Sequence, residues 1–435
     1  MTDFTMLGLQ PRLLKVLADN GIDAPTPIQA RAIPEVMNGR DVMGLAQTGT
    51  GKTLAFGLPL LDLLMKAGSK PAPKTARALI LAPTRELVNQ IADNLFEFVN
   101  GTHLKMARVV GGAGINPQIK RLERGTDILV ATPGRLIDLI DRRAVSLHET
   151  SFLVLDEADQ MLDLGFIHAL RKLVPLLAKE RQTMLFSATM NKQMAEIAGA
   201  FLTSPIRIEV STPGKVADKV EQEIHFVPQA YKREKLEELI KEHRDELALV
   251  FLRTKHGAER LMKQLTAAGF SAGSIHGNKS QGQRERTLKS FRNGELKILV
   301  ATDVAARGID IPDVRHVYNF DLPNVPENYV HRIGRTARAG REGKAVAFCA
   351  AEEVSDLRAI EKVMGISIPV ASGRAPLAEE IPAKKSGRGG RGGGGRGHGG
   401  GHTKQGGGQK SGGNPAGRTN AKPRRPQRAR RTTAA

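Results

Sequence analysis

Short apolar runs and longer stretches with helical spacing alternate along most of the chain. The apolar runs lie at 42–46, 78–82, 107–110, 128–131, 152–155, 184–186 and 206–210. Between them, segments such as 54–66 and 86–99 repeat apolar residues three and four apart, the spacing that gives a helix one buried face. The runs are continuous rather than alternating, so each strand is expected to be covered on both faces. Such strands separated by helices predict a parallel sheet with helices on both sides. The pattern then repeats, with runs at 224–227, 249–252, 272–275, 298–301, 316–319 and 345–348. Helical stretches at 232–243, 258–268, 281–291 and 354–364 separate them. The chain is therefore read as α/β, with two tandem parallel-sheet domains.

The break between the halves falls at 211–220, where Ser211-Thr212-Pro213-Gly214-Lys215 reads as a linker. The pattern stops near residue 370. Residues 383–435 hold 17 glycines and no Phe, Tyr, Leu, Ile, Val or Met. Such a segment cannot bury enough apolar surface to offset its ordering entropy. The expected organisation is an N-terminal segment 1–30 that belongs to the first domain, the first domain proper at 31–210, the linker at 211–220, the second domain at 221–370, and a disordered tail at 371–435.

Charge adds a partner. The 435 residues include 65 Lys and Arg against 45 Asp and Glu, a net charge of +20. That excess favours a polyanion, either nucleic acid or an anionic membrane surface. It is uneven: 14 basic residues and no acidic one lie in 383–435, which leaves only +6 on the rest. Trp is absent and Tyr occurs three times, so contacts to phosphates are expected rather than broad aromatic stacking of bases. The single cysteine, Cys349, excludes a disulfide framework and a cysteine-based metal site, and reads as an apolar filler. His276 has no second ligand at a suitable spacing, and His398 with His402 is only a weak feature of the tail. No run approaches the roughly 18 apolar residues of a membrane span. The start, Met1-Thr2-Asp3-Phe4, lacks the order of a signal peptide. A cytoplasmic protein with no membrane anchor is expected.

Three motifs carry chemistry. Ala46-Gln47-Thr48-Gly49-Thr50-Gly51-Lys52-Thr53 follows an apolar run and opens a helix, the setting of a phosphate-binding loop. Gly49 and Gly51 permit the tight turn, the backbone N–H groups face the phosphates, and the helix N-terminus adds its dipole. Lys52 would pair with the β- and γ-phosphates and Thr53 would ligate Mg²⁺. Asp156-Glu157-Ala158-Asp159 ends the buried run 152–155, and ligands of open α/β sheets bind at the carboxyl ends of strands. Asp156 is placed there to hold Mg²⁺ directly or through water, and Glu157 to polarise an attacking water. Acidic residues after a strand also cap the following helix, so that alternative stands beside it. In the second half, His331-Arg332-Ile333-Gly334-Arg335-Thr336-Ala337-Arg338 puts Arg335 and Arg338 three apart, on one helix face. They read either as arginine fingers for a γ-phosphate, worth about 10³–10⁵ in rate, or as a solvated basic face.

Together these residues resemble the DEAD-box RNA helicases. Asp156 to Asp159 spells the family's name, and the other motifs stand in the family's order. Gly21-Ile22-Asp23-Ala24-Pro25-Thr26-Pro27-Ile28-Gln29 resembles the adenine-recognition segment, with Phe4 as its upstream aromatic. Pro83-Thr84-Arg85-Glu86-Leu87, Gly111-Gly112 and Thr132-Pro133-Gly134-Arg135 resemble its RNA-backbone contacts, and Ser187-Ala188-Thr189 its coupling motif. Val250 to Thr254, Gln281-Gly282-Gln283-Arg284 and the segment from Ala301 through Thr302, Arg307 and Asp310 resemble the later motifs. The resemblance covers about residues 1–370, and the short N-terminus, minimal core and Gly/Arg tail are most similar to the bacterial RhlE type. One departure is Ala337, where the family more often has Gly; it leaves both arginines in place, and little effect is expected.

The resemblance implies two RecA-like domains and an RNA-stimulated ATPase that melts short RNA duplexes or remodels RNA–protein complexes, in ribosome assembly or RNA turnover. ATP and Mg²⁺ would be bound by Gln29, Gln47, Thr48, Gly49, Thr50, Gly51, Lys52 and Thr53 with Asp156 and Asp310. Phe4 would either stack on the base or merely anchor the N-terminal segment. Gln29 offers one donor and one acceptor, which suits adenine. Glu157, Lys52, Arg335 and Arg338 would be catalytic. Asp159, Ser187, Thr189 and His331 would relay nucleotide state, although the two hydroxyls could instead cap the next helix. Arg85, Gly112, Thr132, Arg135, Arg253, Arg284, Thr302 and Arg307 would face RNA. The tail is read as an auxiliary RNA-binding arm, with a solubilising linker as the other reading. An ATP-gated RNA clamp or a DNA translocase would use the same motifs. Ribonucleoprotein or RNA-degradation partners are expected, and no membrane.

Overall fold

The apolar runs form strands because alternate residues serve opposite faces and both faces are apolar. Ile80, Ile128, Val130 and Val154 enter one core of the first sheet, while Leu79, Leu129, Leu153 and Leu155 enter the core on the other side. Each fully buried side chain of this size contributes about 1.5–3 kcal/mol. The computed structural model describes residues 3–46, 49–68, 70–210, 220–306, 313–337 and 342–375.

The first sheet contains β1 (Val42–Leu45), β2 (Ala76–Leu81), β3 (Met106–Val109), β4 (Thr126–Ala131), β5 (Phe152–Leu155), β6 (Gln182–Ser187) and β7 (Ile206–Glu209). Its order is β3-β4-β2-β5-β6-β1-β7, and its paired strands all run parallel. The second contains β8 (Glu221–Phe226), β9 (Leu247–Leu252), β10 (Ala272–Ile275), β11 (Ile298–Thr302), β12 (Val314–Asn319), β13 (Lys344–Cys349) and β14 (Val370–Ser372). Its order is β10-β11-β9-β12-β13-β8-β14, again parallel. Counted from its own first strand, the second sheet has the same order as the first. The architecture is two tandem parallel α/β domains of RecA-like type.

β14 lies beyond the sequence pattern. Its three residues are too short for an apolar run, yet it pairs with β8 and takes the place that β7 takes in the first sheet. Chain order therefore continues past residue 370, into the stretch expected as tail. The rest of that tail, from residue 376, and linker residues 211–219 lie outside the described residues.

Polar residues next to the strands set the helix starts. The Thr84 side chain accepts from the Leu87 N–H at the head of helix Arg85–Val99. Ser280 and Gln283 form a reciprocal capping box at the head of helix Gln281–Arg292. Proline occupies the first turn of helices Pro27–Met37 and Pro133–Asp141, where its missing N–H costs nothing. The motif residues thus begin helices at fixed places on the carboxyl edge of each sheet.

Candidate functional site

Strand order sorts the motifs. β5, β6 and β1 are neighbours, with Leu45 beside Ser187 and Leu155 beside Leu185. The glycine loop after β1, Asp156 after β5 and Ser187 at the end of β6 therefore emerge together. β3, β4 and β2 form the other half of the sheet, and Gly112, Thr132, Arg135 and Arg85 follow those strands. The second sheet divides likewise. Arg253, Thr302 and Arg284 follow β9, β11 and β10, whereas His331 and Arg335 follow β12.

The glycine loop is a cradle closed by the N-terminal segment. Gly49 and Gly51 have φ of 87° and 88°, and a Cβ on Gly51 would lie 2.6 Å from the Gln29 amide nitrogen. Gln29 is buried; its carbonyl accepts the Thr26 N–H at 2.9 Å and its amide donates to the Gly51 carbonyl at 3.0 Å. One amide hydrogen and one carbonyl lone pair are left for a further partner. Thr50 lies beside Gly51, and Thr53 in the first turn of helix Lys52–Ala67. Phe4 is buried in the core with Leu7 and Leu13, so it anchors the N-terminal segment.

Lys52 opens that helix. Its Nζ donates to the Ala46 carbonyl at 3.2 Å and lies 3.8 Å from Asp156 Oδ1. Burial pushes the Asp156 carboxyl up to about 6, against the pull of Lys52 and with a further push from Glu157. Glu157 is buried with φ of 50°, a left-handed backbone for a residue that is not glycine. Such a conformation costs about 1–2 kcal/mol and is characteristic of functional sites. Its N–H donates to Asp156 Oδ1 at 3.0 Å, and its side chain makes no cap bond to the following helix.

Asp159 reaches from β5 to β6. Its Oδ2 accepts from the N–H groups of Ala188 and Thr189, both at 3.0 Å, and from Thr189 Oγ1 at 3.1 Å. Ser187 Oγ donates to the Thr189 carbonyl at 2.7 Å. The helix that follows, Lys192–Phe201, is capped by Asn191 instead. The Thr189 hydroxyl therefore links two motifs, the Ser187 hydroxyl braces Thr189, and neither serves as its cap.

On the other half of the edge, Arg85 lies across Gly112. A Cβ there would fall 2.0 Å from Arg85 Nη1, and Gly112 has φ of 69°, so only glycine fits without displacing the guanidinium. Burial and the nearby Arg284 and Arg135 lower the Arg85 pKa, with Glu86 opposing. Arg135 donates to the Ala113 carbonyl at 3.0 Å, and Thr132 is buried at the head of helix Pro133–Asp141. A cleft of about 470 Å³ is lined by Arg85, Glu86, Gly111, Thr132, Arg135 and Arg284. Arg284 Nη2 lies 3.1 Å from Glu86 Oε1, and Arg85 donates to Gln281 Oε1 at 3.3 Å. Thr302 is buried at the end of β11. Arg253 is committed otherwise: it pairs with Glu353, donates to Asn324 at 3.2 Å and lies 3.7 Å from Asp356.

In the second domain His331 lies in helix Pro326–Ile333, and Arg335 is buried just after it, donating to the His331 carbonyl at 3.3 Å. The sequence reading passed over Arg332. Its guanidinium grips Asp303 through two bonds, at 2.5 and 2.8 Å, and also donates to Asn319 and to the Asp321 carbonyl. Arg332 stands three residues before Arg335, so the same spacing that drew attention to Arg335 and Arg338 pointed to it too. Ala337 has φ of 53°. Gln47, Thr48, Arg307, Asp310 and Arg338 lie outside the described residues. Cys349 is buried, and burial pushes its thiol up to about 12. Among the described residues no three His, Cys, Asp or Glu side chains are grouped to hold a metal, and no helix is long and apolar enough to cross a membrane.

A glycine cradle, a lysine at a helix N-terminus and a buried carboxylate on the same half of one sheet define a nucleoside triphosphatase of the tandem RecA-like class. A DEAD/DEAH box helicase model matches residues 26–197, and a helicase conserved C-terminal domain model matches 231–340. The RNA helicase CrhR of Synechocystis sp. is 43% identical over 383 residues, covering 88% of this chain and 76% of that protein. The ATP-dependent RNA helicase RhlB of Shewanella sp. is 43% identical over 387 residues, covering 87% and 88%. Dbp5 of S. cerevisiae, solved bound to RNA and ADP BeF3, superposes with a TM-score of 0.75 at 31% identity, covering 86% of this chain and 96% of that one. The chain belongs to the DEAD-box family of ATP-dependent RNA helicases, which bind RNA and hydrolyse ATP.

Proposed function

We propose that ATP is hydrolysed at the β1–β5–β6 edge and that RNA binds along the β2–β3–β4 edge of the first domain and the matching edge of the second. The observation that carries this reading is the strand order, which gathers the two sets of motifs on opposite halves of each sheet. Gln29, tied to Gly51, presents its remaining donor and acceptor to adenine, and residues 47–53 wrap the phosphates. Lys52 leaves its carbonyl contact for the β- and γ-phosphate oxygens. Thr53 and Asp156 offer hard oxygen donors that suit Mg²⁺, which would neutralise the charge that develops on those phosphates. Glu157 takes a proton from water as that water attacks the γ-phosphorus. The bond to the β–γ bridging oxygen breaks, and ADP leaves with the electron pair.

Arg335 and Arg338 act as fingers from the second domain, and Asp310 orients the nucleotide from there. Asp159, Ser187, Thr189 and His331 relay nucleotide state. Arg85, Gly112, Thr132, Arg135, Arg284, Thr302 and Arg307 contact sugar and phosphate, which fixes register without reading sequence. Arg253 acts at one remove, since its guanidinium is held by Glu353. Closure of the two domains on ATP and RNA melts a short duplex locally, and hydrolysis releases the strand. Residues 1–210 and 221–370 are the working domains, and the Gly/Arg-rich tail is an auxiliary RNA arm. The setting is cytoplasmic, with ribosome assembly or RNA turnover as the process and ribonucleoprotein partners. The subgroup is of RhlE type.

ATPase assays of the full chain with RNA and with DNA of equal length and sequence test this reading. RNA alone is expected to stimulate hydrolysis. Equal stimulation by DNA would replace it with a DNA translocase, and RNA stimulation without displacement of a short duplex would replace it with an ATP-gated clamp.

A further inference from the structure

Helix Gln281–Arg292 carries Arg284, a group of the proposed RNA edge, in its first turn, and its first residue, Gln281, accepts from Arg85. What fixes that turn lies on another helix. Glu259, in helix Lys255–Ala267, collects three donors from the end of β10 and the turn that leads from it into helix Gln281–Arg292. Ser274 Oγ donates to Glu259 Oε2 at 2.7 Å, His276 Nε2 at 3.1 Å and Lys279 Nζ at 2.8 Å.

The other edge of His276 is committed as well. Its Nδ1 accepts the Asn278 N–H at 3.3 Å, which assigns the neutral ring with the proton on Nε2. The Lys279 N–H closes the turn on the His276 carbonyl at 3.0 Å, and Ser280 then caps the helix. Ser274 and His276 are buried, so their bonds to a carboxylate are not open to competition from bulk water. Lys279, with Ser274 and His276, holds the Glu259 carboxyl down to about 2. An ion at this position is therefore the ordinary state, and one side chain orders residues 274–279. His276, which has no metal partner at a suitable spacing, finds its place in this cluster.

We propose that Glu259 is a positioning residue for RNA binding: through His276 and Lys279 it fixes the start of helix Gln281–Arg292 and with it the place of Arg284. The inference rests on the reading of Arg284 as an RNA-facing group.

The test uses the full chain with Glu259→Ala, Glu259→Gln, Arg284→Ala and the double variant Glu259→Ala/Arg284→Ala. RNA-stimulated ATPase is read as KM for RNA, KM for ATP and kcat at saturating RNA. Glu259→Ala is expected to raise the KM for RNA about tenfold while kcat and the KM for ATP stay within about twofold, the size of effect expected when a supporting shell is removed. Glu259→Gln, which keeps one acceptor oxygen, falls between. In the Arg284→Ala background the Glu259 substitution adds little, because both act through one contact. An unchanged KM for RNA, effects that multiply in the double variant, or an equal loss in kcat and both KM values would overturn the proposal. If Glu259→Ala does not fold, Glu259→Gln, with its Tm checked against the parent, gives the same comparison. Absence of RNA stimulation in the parent chain would instead refute the assignment of the RNA edge and leave the parent unsuited to host the comparison, so the two failures are distinguishable.

Discussion

Asp159 holds Thr189 twice, through the backbone N–H at 3.0 Å and through Oγ1 at 3.1 Å, both on the same carboxylate oxygen. That oxygen also accepts from Ala188, and the other accepts from the Gln160 N–H at 3.0 Å. The segment that follows β5 is thereby tied to the end of β6, the strand between β5 and β1. Under the proposed relay, a movement of the DEAD segment on nucleotide binding would pass directly to Ala188 and Thr189 through these bonds.

Asp159→Asn removes the charge that four donors share. Hydrogen bonds to charged groups are worth about 1.5–3 kcal/mol, so the link is expected to loosen without unfolding the sheet. Strand displacement is expected to fall by at least about tenfold more than RNA-stimulated ATPase does. Parallel assays of the two activities check this; an equal fall in both would assign Asp159 to chemistry or to folding.

Gly112→Ala places a methyl where Arg85 lies, in a backbone conformation that disfavours it. RNA affinity is expected to drop about tenfold with the KM for ATP unchanged. RNA binding by anisotropy and ATP titration separate the two, and unchanged RNA affinity would remove Arg85 from the interface.

Ala337 sits at φ of 53° between the two candidate fingers. The sequence alone suggested that alanine in place of the family's glycine matters little. Both arginines keep their positions in the sequence, but for stability a left-handed alanine carries about 1 kcal/mol of strain, and glycine would release it. Ala337→Gly is expected to raise the urea midpoint at an unchanged slope. A lower midpoint would mean that the added freedom of the unfolded chain outweighs the strain.

Deleting residues 383–435 removes 14 positive charges and no negative ones. RNA binding should weaken, and the plot of log affinity against log salt should flatten by about 0.7 for each phosphate that the tail had neutralised. An unchanged slope would leave the tail as a solubilising linker.

Most of the fold was legible because its strands are continuous apolar runs, which parallel sheets require. β14 was not, because three residues at a sheet edge carry no periodic signal; only the repetition of the strand order from the first domain to the second accounts for it. The glycine loop and Asp156 to Asp159 were legible as chemistry since each joins a strand end to a helix start. The service of Arg332 to Asp303, the hold of Glu353 on Arg253 and the link from Glu259 to His276 were not. Each joins residues at least 17 positions apart, and sequence spacing says nothing about such pairs.

The central claim is that hydrolysis at Glu157 drives work on RNA. Displacement of a short labelled RNA strand by the parent chain and by Glu157→Gln, at saturating ATP with enzyme in excess and in deficit, tests it most directly. The parent is expected to displace strands with multiple turnover. Glu157→Gln should bind ATP and RNA and displace at most about one strand per enzyme, since a carboxamide is a far weaker base and product release stalls. Multiple turnover by Glu157→Gln at the parent's rate would contradict the account.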